Sequence, residues 1–341
     1  MKQKVIIRAD GGTSIGMGHV IRCIALADML KNNFTITFAI QKPTDSVIKS
    51  IHLATETIVH LPVTDNYNQD AINFSQFLEP TDIVVLDGYH FQTDYQKTIK
   101  SKGCKLVVID DLHSWHHVAD AIINHAAGIT ESVYSKEEYT KLYLGLEYAL
   151  LRKPFLIPSK EIKRIDSIKE VFISMGAADI TNLTQKFTEA LVQVEGIEKI
   201  HLMLGSINPN LSSIDKLIET SKNVEIVKHF DISAEQLAAL LKTCDVSICP
   251  ASSISLESCA IGIGLISGYT AGNQKGNLVG MAKRKILLNF GNLSLLTIQV
   301  IQYKIITLIK EPETINEMIK NQRKMIDNKS PERILSIFNQ L

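Results

Sequence analysis

The stretch Val5-Ile-Ile-Arg-Ala-Asp-Gly-Gly-Thr-Ser-Ile-Gly-Met-Gly-His19 decides how the chain is read. It opens on a short β-branched run, Val5–Ala9, with the bias of a strand. Glycines follow at 11, 12, 16 and 18. From His19 to Lys31 the apolar residues recur at helical spacing. A strand, a glycine-rich turn and a helix in that order begin a βαβ unit. The helix start near Gly18 presents free N–H groups and the positive end of a dipole, which suits phosphate or a developing negative charge. The spacing is not the dinucleotide fingerprint: with Gly16 and Gly18 as its first pair, Ile21 stands where the third glycine belongs.

Working outward, the same alternation continues. Strands are expected at Thr35–Ile40, Thr57–Leu61, Ile83–Leu86, Lys105–Ile109 and Ala121–Ile123. Helices are expected at Tyr67–Phe77 and Thr93–Ser101. Leu151–Lys169, with Pro154, Pro158 and many charges, reads as a connector. The pattern then restarts. Strands are expected at Val171–Met175, Lys199–Leu204, Val224–Val227, Val246–Cys249, Gly264–Ser267 and Ile286–Leu288, and helices at Leu183–Val194 and Ala234–Lys242. The fold class is therefore α/β, with two Rossmann-like domains facing a central cleft. Their expected bounds are 1–155 and 156–315, with a helical segment at 316–341.

The 341 residues suit two domains. Lys plus Arg and Asp plus Glu both count 36. A neutral chain offers no global field for nucleic acid or an anionic membrane. No run approaches the ~18 apolar residues of a membrane span, and Val5–Ile7 is too short for a signal-peptide core. The five cysteines, 23, 104, 244, 249 and 259, contain no C-x-x-C and read as reduced, buried thiols. These features point to a cytoplasmic protein. Its oligomeric state stays open.

In open α/β sheets ligands bind beyond the carboxyl ends of strands, so the chemistry is sought in those loops. His19 stands on the first turn of its helix, placed to take a proton from water; the plainer reading is a histidine that packs or caps. Ser174-Met-Gly176-Ala-Ala-Asp179…Asn182 ends the first strand of the second half. Gly176 lets backbone approach a ligand, and Asp179 suits the cap of the next helix. Ser252 and Ser253 follow a strand and open a helix, an anion-binding or capping arrangement. Glu257 lies about one turn further, where a carboxylate can accept from a vicinal diol such as ribose; the alternative is a surface glutamate. Ala271-Gly-Asn273-Gln274 is a polar loop suited to sugar hydroxyls and amides, or simply a turn. Asp87-Gly-Tyr89-His90 and Asp110-Asp111 end strands. His113, His116 and His117 around Trp115 read as a polar loop rather than a metal site. No metal and no cofactor are expected.

In this order, Arg8-Ala-Asp10…Gly16-x-Gly18-His19…Arg22-Cys23, Asp87-Gly-Tyr89, Val108-Ile-Asp-Asp-Leu112, Gly145-Leu-Glu-Tyr-Ala-Leu-Leu-Arg152, Ser174-Met-Gly176, Ser252…Glu257 and Asn273-Gln274 resemble the hydrolases of the pseudaminic acid pathway. Those enzymes cleave UDP-2,4-diacetamido-2,4,6-trideoxy-β-L-altropyranose, and they are similar in fold to two-domain glycosyltransferases of the MurG type (GT-B). The resemblance implies metal-independent hydrolysis with inversion. It implies His19 as general base, with Asp10, Gly16, Gly18, Arg22, Tyr89, Asn273 and Gln274 on the sugar side. Gly176, Asp179, Asn182, Ser252, Ser253 and Glu257 are implied to bind UDP. The partners are then a UDP-sugar and a water. The chain departs from the family pattern at Gly176-Ala-Ala-Asp179, at Ile263-Gly264 and at Gly272. The rival readings are a UDP-sugar transferase, a hydrolysing UDP-sugar 2-epimerase, and a nucleotide-sugar-binding protein without activity.

Overall fold

The computed structural model describes residues 2–11, 17–55, 57–157 and 163–341. It divides into two units, one of 1–153 with 329–341 and one of 154–328.

In the first unit the elements are β1 (Lys4–Ala9), α1 (Gly18–Leu30), β2 (Thr35–Ile40), α2 (Asp45–His52), β3 (Ile58–His60), α3 (Tyr67–Ser75), β4 (Ile83–Asp87), α4 (Thr93–Lys100), β5 (Lys105–Ile109), β6 (His116–His117), β7 (Ala121–Asn124), β8 (Ser135–Lys136) and β9 (Lys141–Leu144). Seven strands form one sheet in the order β3-β2-β1-β4-β5-β7-β9, and every pairing is parallel. A parallel sheet is covered on both faces, which is why its strands are nearly continuous apolar runs. Val5, Ile7 and Ala9 pack with Val20, Cys23 and Leu26 of α1. On the other side Ile6, Val84 and Leu86 pack with Phe74, Phe91 and Tyr95.

The second unit repeats the plan. It contains β10 (Glu170–Ser174), α5 (Leu183–Leu191), β11 (Lys199–Leu204), α6 (Leu211–Thr220), β12 (Glu225–Phe230), α7 (Ala234–Thr243), β13 (Val246–Pro250), α8 (Ser253–Ile261), β14 (Gly264–Tyr269), α9 (Gln274–Lys283), β15 (Leu288–Asn292), α10 (Ile298–Lys310) and α11 (Pro312–Met325). The sheet order is β12-β11-β10-β13-β14-β15, again all parallel. Among the described residues no helix is long and apolar enough to cross a membrane. All five cysteines are buried free thiols.

The expected C-terminal helical segment, 316–341, is shared between the two units. Ile315 and Ile319 of α11 lie in the core of the second unit. Helix α12 (Ser330–Phe338) returns to the first unit. Its Ile334, Ile337 and Phe338 complete the core around α1, and the Phe338 ring meets Phe34 edge-on at 6.0 Å. The polar periodicity of this stretch reads as a helix, but the core that an apolar stripe fills is not encoded in its period. Phe338→Ala is expected to cost about 3–5 kcal/mol. Hydrogen exchange should show the loss in β1 and β2, with β10–β14 unchanged. Uniform loss across both units would contradict the assignment of α12.

Candidate active site

Sheet order selects which strand-end loops become neighbours. In the first sheet the order reverses at β1, so the loops after β1 and β4 flank the switch point where open α/β sheets bind ligands. Ala9 and Asp87 are register partners at the ends of these strands. In the second sheet the corresponding pair is β10 and β13. Gly176 follows the former, and Ser252 and Ser253 the latter.

Helix α1 turns His19 onto Asp87. The His19 Nδ1 to Asp87 Oδ1 distance is 2.7 Å. Two groups of opposite demand meet Nδ1: the Asp87 carboxylate, which only accepts, and at 3.0 Å Arg22 Nη2, which only donates. In the tautomer that the shorter Asp87 contact favours, Nδ1 carries the hydrogen and Nε2 keeps its lone pair. Arg22, one turn along, donates from Nε to Asp87 Oδ2 at 2.6 Å and from Nη2 to Oδ1 at 2.5 Å. Its Nη1 reaches Asp111 Oδ2 at 3.1 Å. Tyr89 lays its ring against His19, centroids 4.6 Å apart and nearly perpendicular, with its hydroxyl 3.5 Å from Asp111. Asp87 is fully buried. Burial by itself would raise its carboxyl; Arg22 and His19 overcome that and hold it well below the carboxylate range. One guanidinium faces two carboxylates here, an excess of one negative charge. An imidazolium formed at His19 would neutralise it.

Two residues expected at the sugar are thus committed elsewhere. Arg22 is buried and spent on Asp87 and Asp111, so it positions His19 instead of presenting a guanidinium to a ligand. Asp10 accepts from Arg8 Nη1 at 2.5 Å and from the Gln41 N–H at 2.9 Å. Arg8 is fully buried and also donates to Asp70 at 3.1 Å, which Tyr95 joins at 2.9 Å. His90, stacked on Tyr67, lies 3.6 Å from the other Asp10 oxygen. Burial, then the Arg8 charge, push His90 down to about 4, so it is neutral near pH 7. Gly18 begins α1, and none of the described residues outside its own stretch of chain lies within 4 Å of where its Cβ would stand. Gly16 lies outside the described residues.

In the second unit, Gly176 has φ +91°, which only glycine adopts without strain. Asp179 is a helix cap: its two carboxylate oxygens accept from the N–H groups of Leu183 and Thr184 at 2.9 and 2.8 Å. That places one negative charge at the start of α5 already, against the expected contact with UDP. Asn182 starts the helix with φ +54° and donates to Gln185 at 2.6 Å. The start of α8 differs. Ser252 precedes it without a side-chain cap, and Ser253 is its first residue. Glu257 is 4% exposed, not the surface glutamate of the plainer reading. Asn273 precedes α9, and Gln274 turns its amide oxygen back onto the N–H of Thr270 at 2.8 Å. The expected polar loop is therefore braced by the residue that was read as facing sugar.

Sequence reasoning did not pair Asp87 with His19, because they are 68 positions apart. It also passed over His125 at the end of β7. Burial, then the Arg22 charge, lower that imidazole to about 4, and its Nδ1 is buried without a hydrogen-bond partner. Asp110 is structural: it accepts from the His113 N–H at 2.8 Å and the Tyr134 hydroxyl at 3.1 Å. His116 and His117 form β6, which pairs with β8.

Asp87→Asn leaves Arg22 buried with half its counter-charge, a loss of about 3–5 kcal/mol at pH 7. A depressed folded pKa makes the Asp87 contribution complete above the ordinary carboxylate range, ~3.9, and lost as pH falls below it. Urea unfolding of both proteins from pH 7 to pH 3 checks this. The difference should narrow in acid, and a constant difference would refute the role of the charge.

No protein-family model matches the chain. It is 28% identical over 277 residues to an uncharacterized protein of Methanocaldococcus jannaschii, a match covering 78% of this chain. The chain spans about half of that relative's length, 55%. It is also 28% identical over 289 residues to the UDP-2,4-diacetamido-2,4,6-trideoxy-beta-L-altropyranose hydrolase of Campylobacter jejuni, covering 82% of this chain and 97% of that protein. Among solved structures, MurG of Acinetobacter baumannii superimposes with a TM-score of 0.70 at 15% identity, covering 100% of both chains. The fold is therefore α/β of the GT-B type, and the sequence is similar at a distance to a UDP-sugar hydrolase.

Proposed function

We propose that the protein hydrolyses a UDP-linked diacetamido-trideoxy sugar, releasing free sugar and UDP, in the manner of the pseudaminic acid pathway. The observation that carries this reading is the 2.7 Å contact between His19 Nδ1 and Asp87; with Nδ1 as its donor, Nε2 is free to accept a proton. A water attacks the anomeric carbon as Nε2 takes its proton. The bond from that carbon to the diphosphate oxygen breaks, and its electron pair leaves with UDP. UDP is a good leaving group, so no strong general acid is needed. Asp87 orients the ring through Nδ1, while His19 does the proton transfer.

The uncapped start of α8 favours Ser252 and Ser253 for the diphosphate. The start of α5 is already filled by Asp179. Glu257 is assigned to the ribose diol, and Tyr89, against the His19 ring, to the sugar. The backbone at Gly176, open for lack of a Cβ, suits the diphosphate as well. The similarity to the Campylobacter jejuni hydrolase supports water as the nucleophile. The MurG-like fold supports a second reading, in which the same base serves an acceptor hydroxyl.

An NMR time course with UDP-2,4-diacetamido-2,4,6-trideoxy-β-L-altropyranose and no acceptor separates the two. Free sugar plus UDP is expected. Turnover only after an acceptor is added would make the protein a transferase. His19→Ala should lower turnover by about 10²-fold or more while UDP affinity persists; undiminished turnover would remove His19 from the mechanism. Glu257→Ala should weaken UDP binding, and equal affinity by calorimetry would remove it from the ribose.

A further inference from the structure

One group of metal-ligating side chains lies outside the residues used above. Glu170, His201 and His229 stand on β10, β11 and β12. The register pairs Phe172 with His201 and His201 with Val227. Glu170 and His229 are each two residues from those partners, in opposite directions, so all three share one face of the sheet. It is the face opposite Val171, Ile173, Ile200 and Leu202, which fill the apolar core. Cys244 ends α7 beside them. It is held there by backbone: Asp245 N–H donates to the Glu170 carbonyl at 2.8 Å, and the Asp245 carboxylate accepts from the N–H of Lys169 and Glu170 at 2.8 and 3.0 Å.

One ligand atom each from Glu170, His201 and Cys244 lies within 4.8 Å of the others. His201 is 6% exposed and Cys244 fully buried, while Glu170 is half-buried. The decisive atom is His201 Nε2, which is buried and has no hydrogen-bond partner. Its nearest carboxylate oxygen, on Glu170, is 3.6 Å away. The other ring nitrogen, Nδ1, lies 3.0 Å from His229 Nε2. With His201 Nδ1 as the donor in that contact, the Nε2 lone pair is turned towards Glu170 and Cys244, as an outer partner does for a metal-binding histidine. A buried lone pair facing a carboxylate and a sulfur is an arrangement that a bound cation would complete. The neighbouring cations do not supply it, since Lys199 is paired with Glu225 at 2.9 Å and Lys163 with Asp245 at 3.0 Å.

We propose that Glu170, His201 and Cys244 form a site for a divalent metal of the zinc class, with His229 as its outer partner. One oxygen, one imidazole nitrogen and one thiolate are the donors zinc accepts, with a water as fourth ligand. Zinc bonds of about 2.0–2.3 Å place such donors about 3.5 Å apart, within reach of side-chain rotation at Glu170 and Cys244. On binding, the Cys244 S–H bond breaks, sulfur keeps the electron pair for the metal, and the proton passes to solvent. The metal would join the start of β10 and strand β11 to the end of α7.

The test uses the full chain without an affinity tag, stripped with EDTA and desalted. Zn²⁺ is titrated in competition with a fluorescent chelator, and Co²⁺ is titrated by absorption. One Zn²⁺ per chain is expected, with Kd below about 1 µM. Co²⁺ should give a near-ultraviolet thiolate-to-metal band that Cys244→Ser abolishes. His229→Gln should weaken Zn²⁺ by about 10–100-fold. Glu170→Gln, at a half-buried position that preserves the fold, should also weaken it. Absence of stoichiometric uptake by the unaltered chain would overturn the proposal. So would a Co²⁺ spectrum without the thiolate band, or Zn²⁺ affinity unchanged in Glu170→Gln. None of these readings depends on turnover of a UDP-sugar.

Discussion

The ion-pair cluster of Arg22 with Asp87 and Asp111 is the constraint on which the first unit's chemistry depends. Arg22 lies one turn after His19 on α1, and Asp87 ends β4 beside β1. A buried guanidinium is tolerated only with full compensation. The same contacts that compensate it also hold the His19 ring in place. Fold stability and the orientation of the proposed base are therefore one set of contacts. The apolar packing of Val20, Cys23 and Leu26 under α1 holds the helix in the register that makes them.

The second unit uses the same architecture with a different electrostatic arrangement. There the loops at the switch point carry few charges. Asp179 has been internalised as a cap on α5, and Gly176 keeps backbone exposed. The uncapped start of α8 offers the positive end of a dipole. The first unit gathers charged side chains at its switch point, and the second leaves backbone N–H groups there.

Much of the fold was legible. Alternating β-branched runs and amphipathic segments mark parallel strands and their crossovers, because each strand must be apolar on both faces and each helix on one. What escaped was not only weak period. Helix α9 has little, and Gln274 was read as loop although it begins that helix. Helices α2, α6 and α10 carry clear apolar faces and were still unread, as was strand β9. His19, Tyr89 and Ser252 could be singled out because they stand just after strands. Arg22 and Asp10 were placed on the sugar side by the family resemblance, and Gln274 by its polar loop as well; the structure gives all three hydrogen-bond partners within the chain. Only a residue's neighbours reveal whether its hydrogen bonds are already taken.

Sequence by itself determined the two α/β halves, the loops that follow their strands, and the place of His19 at the start of the first helix. Those features are local: they follow from periodicity, glycine placement and residue type within a few positions. Tertiary structure alone decided the union of His19 with Asp87, the return of α12 to the first unit, and the meeting of Glu170, His201 and Cys244. Each of these joins residues dozens to hundreds of positions apart. Strand order and helix packing bring such residues together, and no local pattern in the chain encodes which strand lies beside which.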